Sequence, residues 1–521
     1  MAPKNTTTVG PAVSDNDEVS RSAAAALLSV LCFIDHTNIQ ENLVVESLGP
    51  VGLADFPTNI TDYVGALNLL ISAGKATLET QGRRILRISD SVKAAVMQAL
   101  SMDERRAVFD AAVKLLSVAW PWLDTYNATD VERLQFVRQY RPHIVALRAI
   151  CLDLEPAGFV PGMAFCAFLH EEAWLETMQT TVDDMHLGCS EYGLPLAHRI
   201  LDHHQITLTE PGSRDEYKRL CMNQARFIGV TSSMLGKENE ALGAMKMWMD
   251  MLTKRYGAHG LRDDARTIAF VHVETGMHNL RFKDFNYSDA FETFRLACES
   301  VNNQKGVGES AFKYVLPNVN LALVVAHYHR NFRPAMTILE NLLGERGQGS
   351  GLIFDDMTSL ETGIVLYAMG TVIHFSTPNK VPEVVGESLR FLRRAVAVLE
   401  QTHGDEAVFT LAATYRMAAC LFDLEKYEEA IVHLDKINRA MAGYKRSSTD
   451  PLCADILWQK ARALWKGGKT LQAIGNESQE IEAGDMIDEA AQIHWDVQGT
   501  VVDASAARDS TWDSRVCHLY R

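Results

Sequence analysis

The chain has 521 residues, 47% of them hydrophobic and 22% charged, and carries a formal charge of −16. That length allows more than one domain with a large core. The acidic balance argues against general binding to nucleic acid or anionic membrane, both of which need basic faces. No apolar run reaches the about 18 residues of a membrane span.

In chain order, residues 1–19 are polar and read as a disordered tail, with neither the basic lead nor the apolar core of a secretory signal. An apolar helix is predicted from Ser20 to Asp35, broken at His36-Thr-Asn38, where Asn38 can cap a short helix containing Ile39 and Leu43. Pro57 is predicted to open a longer helix that runs to Ala73 and stops at Gly74. Ala76–Thr80 and Arg83–Ile88, joined by Gln81-Gly82, read as a β-hairpin. Helices follow after Asp90 and from Asp103 to about Trp120.

Three helices, a hairpin and a further helix give the order of a winged helix, assigned to residues 20–120. The segments Leu27-Leu-Ser-Val-Leu-Cys-Phe-Ile-Asp35, Asn38-Ile-Gln-Glu-Asn-Leu43, the hairpin and Phe109-Asp-Ala-Ala-Val-Lys-Leu-Leu116 carry a resemblance. They resemble the part of fungal NB-ARC/tetratricopeptide (NLR-like) proteins that lies between the nucleotide-binding module and the repeats. That module is missing here, so nucleotide-driven switching does not carry over. The resemblance implies a winged-helix cap on a repeat array, and its context is fungal secondary-metabolite biosynthesis. The helix from Pro57 to Ala73 contains no Lys or Arg, and only Lys75, Arg83, Arg84 and Arg87 make a small basic edge. A solvated hairpin fits this better than a nucleic-acid contact.

Residues 121–215 read as bridging helices or degenerate repeats, with helices over Val131–Leu152, Phe165–His186 and Leu194–His204. Residues 216–482 then repeat. Small residues sit on a first helix (Gly229, Ala418) and twelve positions later on a second (Ala241, Ala430), which lets two backbones cross closely. The second-helix markers Ala241, Ala290, Ala335, Ala430 and Ala473 are spaced 49, 45, 95 and 43 residues, so an unmarked copy is expected between about Asp356 and Gln401. The pattern resembles tetratricopeptide (TPR) repeats of the longer kinesin-light-chain type. The expected fold is therefore all-α: a TPR-like α-solenoid with an N-terminal winged-helix cap containing one small hairpin. Residues 483–521 are assigned to a last helix and tail.

The chemistry-bearing motifs are weak. Gly467-Gly468-Lys469-Thr470 lacks the upstream glycine and strand of a phosphate loop, Ala463 standing at the glycine position. His170-Glu171-Glu172 lacks the second histidine of a zinc helix, and His203-His204 sits near a helix end. The nine cysteines form no CxxC and suit buried free thiols in a reducing compartment, the cytoplasm first and the nucleus also compatible. No metal or cofactor is expected. A Cys–His pair can be brought together only in three dimensions.

Met234, Met245, Met247, Trp248, Met249 and Met251 cluster in one repeat, and Phe282, Phe285, Tyr287, Phe291 and Phe294 in the next. An ordinary core explains them, and so does an apolar groove on a concave face. In the second case Trp248, His272, Glu274, His278 and Arg281 are the candidate ligand-groove residues. The functional expectation is a non-enzymatic interaction protein that holds a protein or peptide on that face. The alternative is a cofactor-independent cyclase or isomerase enclosing a hydrophobic small molecule between cap and repeats. Neither nucleic acid nor membrane is an expected partner.

Overall fold

The computed structural model describes residues 15–49, 51–80, 84–122, 131–178, 192–205, 211–234, 237–260, 265–282, 287–302, 315–347, 359–377, 379–405, 407–442 and 460. Residues 1–14 of the expected tail, the Gln81-Gly82 turn, Gly467–Thr470, Ala473 and residues 483–521 lie outside that set. The chain divides into two compact units. One comprises Met1–Asp124, Glu132–Glu172 and Tyr192–Leu220; the other comprises Thr125–Val131, Ala173–Glu191 and Cys221–Arg521.

The first unit opens with α1 (Asp15–Phe33), β1 (Ile39–Gln40), α2 (Glu41–Glu46), α3 (Ile60–Ser72), β2 (Thr77–Glu79), β3 (Ile85–Arg87), α4 (Asp90–Ala99) and α5 (Met102–Ala119). The hairpin forms as expected from its alternation, with Leu78 opposite Leu86. The stretch after Asn38 does not start as a helix. Ile39 and Gln40 pair antiparallel with Leu86 and Ile85, giving a three-stranded sheet in the order β1-β3-β2. Buried Ile39 gains a ladder partner there, and α2 begins only at Glu41, two residues later. The start of α3 also moves. It opens at Ile60, three residues after Pro57, and Asn59 caps it by accepting from the Asp62 N–H. Ser101 and Glu104 close a reciprocal capping box on α5. Phe109 on α5 anchors the core, meeting Phe33, Phe159 and Phe165 edge-on at centroid distances of 6.5, 5.3 and 5.0 Å.

Helices α6 (Val131–Leu154), α7 (Ala164–Met178) and α8 (Leu194–Gln205) follow. The first-unit parts of α6 and α7 are joined by buried ion pairs. Arg133 binds Glu171 and donates from Nε to the Pro121 carbonyl at 2.9 Å. Arg148 and Arg141, two turns apart on α6, both reach the Glu172 carboxylate, at 2.7 and 3.5 Å. The His170-Glu171-Glu172 stretch is thus an anchor for arginines.

Among the described residues the second unit shows tandem helix pairs: α9 (Pro211–Met234, of which Cys221 onward belongs to this unit) with α10 (Glu238–Gly260), α11 (Ala265–Phe282) with α12 (Tyr287–Asn302), α13 (Val315–His327) with α14 (Phe332–Gly347), α15 (Leu360–Phe375) with α16 (Pro382–His403), and α17 (Val408–Asp423) with α18 (Tyr427–Ala442). From α11 onward each first helix packs on its own partner and on the next first helix. The second-helix markers Ala241, Ala290, Ala335 and Ala430 are all fully buried. The unmarked copy is α15–α16, and its marker is Ser388, which splits the 95-residue interval into 53 and 42. Four residues after each marker a larger side chain (Met245, Phe294, Leu339, Leu392, Leu434) is buried too.

The opposing small residues are Gly229, Gly276, Ala322, Gly370 and Ala418, each five or six positions before its helix ends. A Cβ at Gly276 would stand 2.7 Å from Phe294 Cε1, and one at Gly370 2.7 Å from Leu392 Cγ. Only glycine lets these backbones approach. The all-α TPR-like solenoid is therefore the architecture of this unit, with longer helices than the shortest repeats of that type allow.

Candidate functional site

The aromatic and methionine cluster falls at the junction of α9, α10 and α11. Trp248 on α10 is buried with Met222, Ala225, Leu252 and Val271, and Met249, Met251 and Phe270 pack around them. Within it lies an arginine that the sequence pattern did not single out. The Arg226 guanidinium carbon is 4.7 Å from the Phe270 ring centroid, 5.1 Å from Trp174, 5.2 Å from Phe227 and 5.7 Å from Trp248. Four rings around one cation make a strong cation–π site. The only sequence signal was a lone charge inside the apolar run Ala225-Arg-Phe-Ile-Gly229.

The other candidates sit on α11. Glu274 and His278 are one turn apart and are only 1% and 0% exposed. His272 points elsewhere on the helix and is partly exposed, with burial pushing its imidazole below the usual range. The Arg281 side chain lies outside the described residues. Trp248, Glu274 and His278 are thus interior groups, and His272 stands at the margin.

Openness on the first helices is uneven. Helices α15 and α17 are enclosed: residues 362–374 and 409–422 are all buried. On α11 and α13, by contrast, Phe270, Met277, Leu321 and Val325 are half-buried apolar side chains, accompanied by His272, Thr275 and Asn318. Asn318, Leu321 and Val325 share one face of α13, at i, i+3 and i+7. This is where the array offers apolar contact without first unpacking. The second helices add Met247, Leu296 and Val432, exposed by 44, 40 and 64%.

The remaining histidine motifs resolve into structure. His204 Nε2 is 2.9 Å from the Pro161 carbonyl, and both His203 and His204 stand in the last turn of α8, where imidazoles suit the helix dipole. His327 packs on Tyr287 and Phe375, and His329 on Phe291 and Tyr328. No group of three His, Cys, Asp or Glu among the described residues is placed to hold a metal ion.

No protein-family model matches the sequence, and no curated protein matches it. The chain is similar to a number of solved structures, among them the following two. The TPR-like repeats of a Podospora anserina kinesin light chain are 16% identical over 44% of this chain and 95% of that one, with a TM-score of 0.30. A STAND-type signal-transduction ATPase with a tetratricopeptide-repeat sensor from Pyrococcus horikoshii is 11% identical over 94% of this chain and 67% of that one, with a TM-score of 0.42. At these scores neither overlay carries an argument; the helix pairs described above do.

Proposed function

We propose that the protein is a non-enzymatic interaction scaffold whose helix pairs bind a protein or peptide partner. The observation that carries this reading is the row of half-buried apolar side chains Phe270, Met277, Leu321 and Val325 on neighbouring first helices of a tandem array. Such arrays present side chains from several repeats to one extended ligand. With a chain charge of −16, the partner is an amphipathic segment with apolar anchors and basic flanks. No described side chain favours the cyclase or isomerase alternative, since Trp248, Glu274 and His278 are core groups.

A leucine–lysine amphipathic helical peptide is the probe, with its leucine–glutamate counterpart as control. The scaffold reading expects the lysine peptide to bind, the glutamate peptide not to, and Leu321→Glu with Val325→Glu to abolish binding at an unchanged melting temperature. Equal binding of both peptides, or full binding by the double variant, contradicts it.

We read α1 to β3 of the first unit as a winged helix, as in the part of NLR-like proteins that it resembles. The element order α1-β1-α2-α3-β2-β3 supports this. Its role is not DNA binding. Helix α3 has no basic residue and exposes Ile60, Val64, Leu69 and Ile71. Of the basic edge, Arg84 pairs with Glu41, and Arg87 with Glu79 and the Thr37 carbonyl. Apolar helix faces suit protein contacts and not phosphates.

A further inference from the structure

The ion pairs between α6 and α7 leave a surplus of positive charge on one face of α6. Arg138, Arg141 and Arg148 follow one another at intervals of three and seven positions. At about 100° per residue they fall within about 80° of one another. A single carboxylate from α7 binds the last two: Glu172 holds Arg148 at 2.7 Å and Arg141 only at 3.5 Å. These four side chains carry three positive charges and one negative, a formal surplus of two. Glu172 is completely buried, whereas the Arg148 and Arg141 side chains keep 12 and 20% of their surface exposed. Solvent therefore reaches this cluster from the side of its cations.

Arg138 shows what the surplus is for. It stands one turn before Arg141 and is half-buried. Among the described residues no carboxylate, carbonyl or aromatic ring partners it, and burial alone pushes its guanidinium below the usual range. An arginine in full solvent loses nothing by standing alone. A half-buried one gives up hydration with no return. The chain has 66 acidic residues against 50 basic ones, so the shortage of counter-charge is local and not one of composition.

The chemistry of a fitting ligand follows from shape and charge. A carboxylate has two oxygens, which one guanidinium fork can occupy. Two forks a helical turn apart, with about 5–6 Å between their Cβ atoms, suit a tetrahedral group with three free oxygens. A phosphomonoester carries a charge of about −1.5 to −2 at pH 7, which matches the surplus of two. Arg148 keeps Glu172 neutralised, so the one carboxylate of the cluster does not repel the anion. We propose that Arg138 and Arg141 form an oxyanion site on the first unit, backed by the Arg148–Glu172 pair, and that its ligand is a small phosphomonoester. Arg138 is the recognition residue, since no contact within the fold employs it. Arg141 adds a second fork, and Arg148 acts through Glu172 as a positioning residue. The site belongs to a different unit from the α11 and α13 side chains and does not rest on the scaffold reading.

The test is calorimetric titration of the full-length protein with O-phosphoserine, with inorganic phosphate and with unphosphorylated serine, at an ionic strength held constant with chloride. Phosphoserine is expected to bind at least as tightly as inorganic phosphate, and serine not to bind. Arg138→Gln should weaken phosphoserine binding by about tenfold or more, the worth of a charge-assisted hydrogen-bonded contact. It should keep the wild-type melting temperature, because Arg138 supports nothing else. Arg330→Gln removes the same charge from an exposed turn of the second unit and should leave the affinity unchanged. Absence of phosphoserine binding in the wild type overturns the proposal and needs no variant to fold. Binding of inorganic phosphate alone overturns the monoester as ligand. Equal affinity in wild type and Arg138→Gln, or an equal loss in Arg330→Gln, shows a diffuse charge effect and overturns the site.

Discussion

Two helical glycines have opposite prospects, and the difference lies in what faces them. At Gly276 a methyl group would sit 2.7 and 2.8 Å from two carbons of the buried Phe294 ring, which cannot bend away. Gly276→Ala is expected to lower stability by about 1–3 kcal/mol, the cost of overpacking. At Gly386 on α16 there is nothing within 4 Å. Gly386→Ala should raise stability by about 0.5–1 kcal/mol through helix propensity. Thermal denaturation of the two variants checks both signs; a neutral Gly276→Ala would mean that α11 and α12 do not cross there. His374 gives a second residue-scale test. Burial pushes its imidazole down, but Cys420 and Asp423 outweigh that and raise it from 6.5 to about 9. A folded-state pKa above the unfolded one means stability that is fully present below about pH 6.5 and lost as pH rises through about 9. Asp423 is held below its ordinary value by the same contact despite its burial, so the acid side of the pair holds until lower pH. Wild type should therefore lose melting temperature between pH 7 and 9.5, and His374→Gln should lose distinctly less. Parallel profiles would remove His374 as the source.

At the scale of the element, the marker alanines do the same work in four of the five described pairs, Ser388 standing in the fifth. Ala430 is fully buried, with Leu434 one turn on. Ala430→Leu is expected to cost about 1–3 kcal/mol, whereas the same change at a solvent-facing position of α18 costs little. In the first unit, Glu171→Gln would leave the buried Arg133 cation without its counter-charge. Breaking such a pair from one side typically costs about 3–5 kcal/mol. A urea midpoint that does not move would show that water or another acid compensates. These elements also show what the sequence could and could not reveal. The alanines were legible because a buried crossing leaves a small residue at a fixed phase. Ser388 was not, because a hydroxyl that satisfies itself on the Gly370 carbonyl fills the same place with a polar residue. Ile39 looked helical from its neighbours, and only its partner Leu86, far along the chain, made it a strand. Of the groove candidates, Trp248, Glu274 and His278 carried the residue types of a site, but helical periodicity alone could not tell that their faces turn inward. The His374–Asp423 pair, 2.7 Å apart, joins residues 49 positions apart across two helices, which no local spacing encodes.

For the repeat unit as a whole, the central claim is that successive helix pairs stack in one register. Two surface ion pairs mark it. Arg393 on α16 reaches Glu429 on α18 at 3.3 Å, and Glu400 reaches Lys436 at 2.9 Å; each spans 36 residues. Exposed pairs like these add little stability, but their common offset fixes how one second helix lies along the next. The most direct measurement is cross-linking of engineered cysteines with a short bismaleimide, with the linked peptides identified by mass spectrometry. Glu400→Cys with Lys436→Cys is expected to link within one chain, as is Arg393→Cys with Glu429→Cys. The mismatched pair Arg393→Cys with Lys436→Cys, two turns out of register, should stay largely unlinked. If the folded protein links the mismatched pair as readily as the matched ones, or links neither matched pair, the tandem stacking described here is wrong.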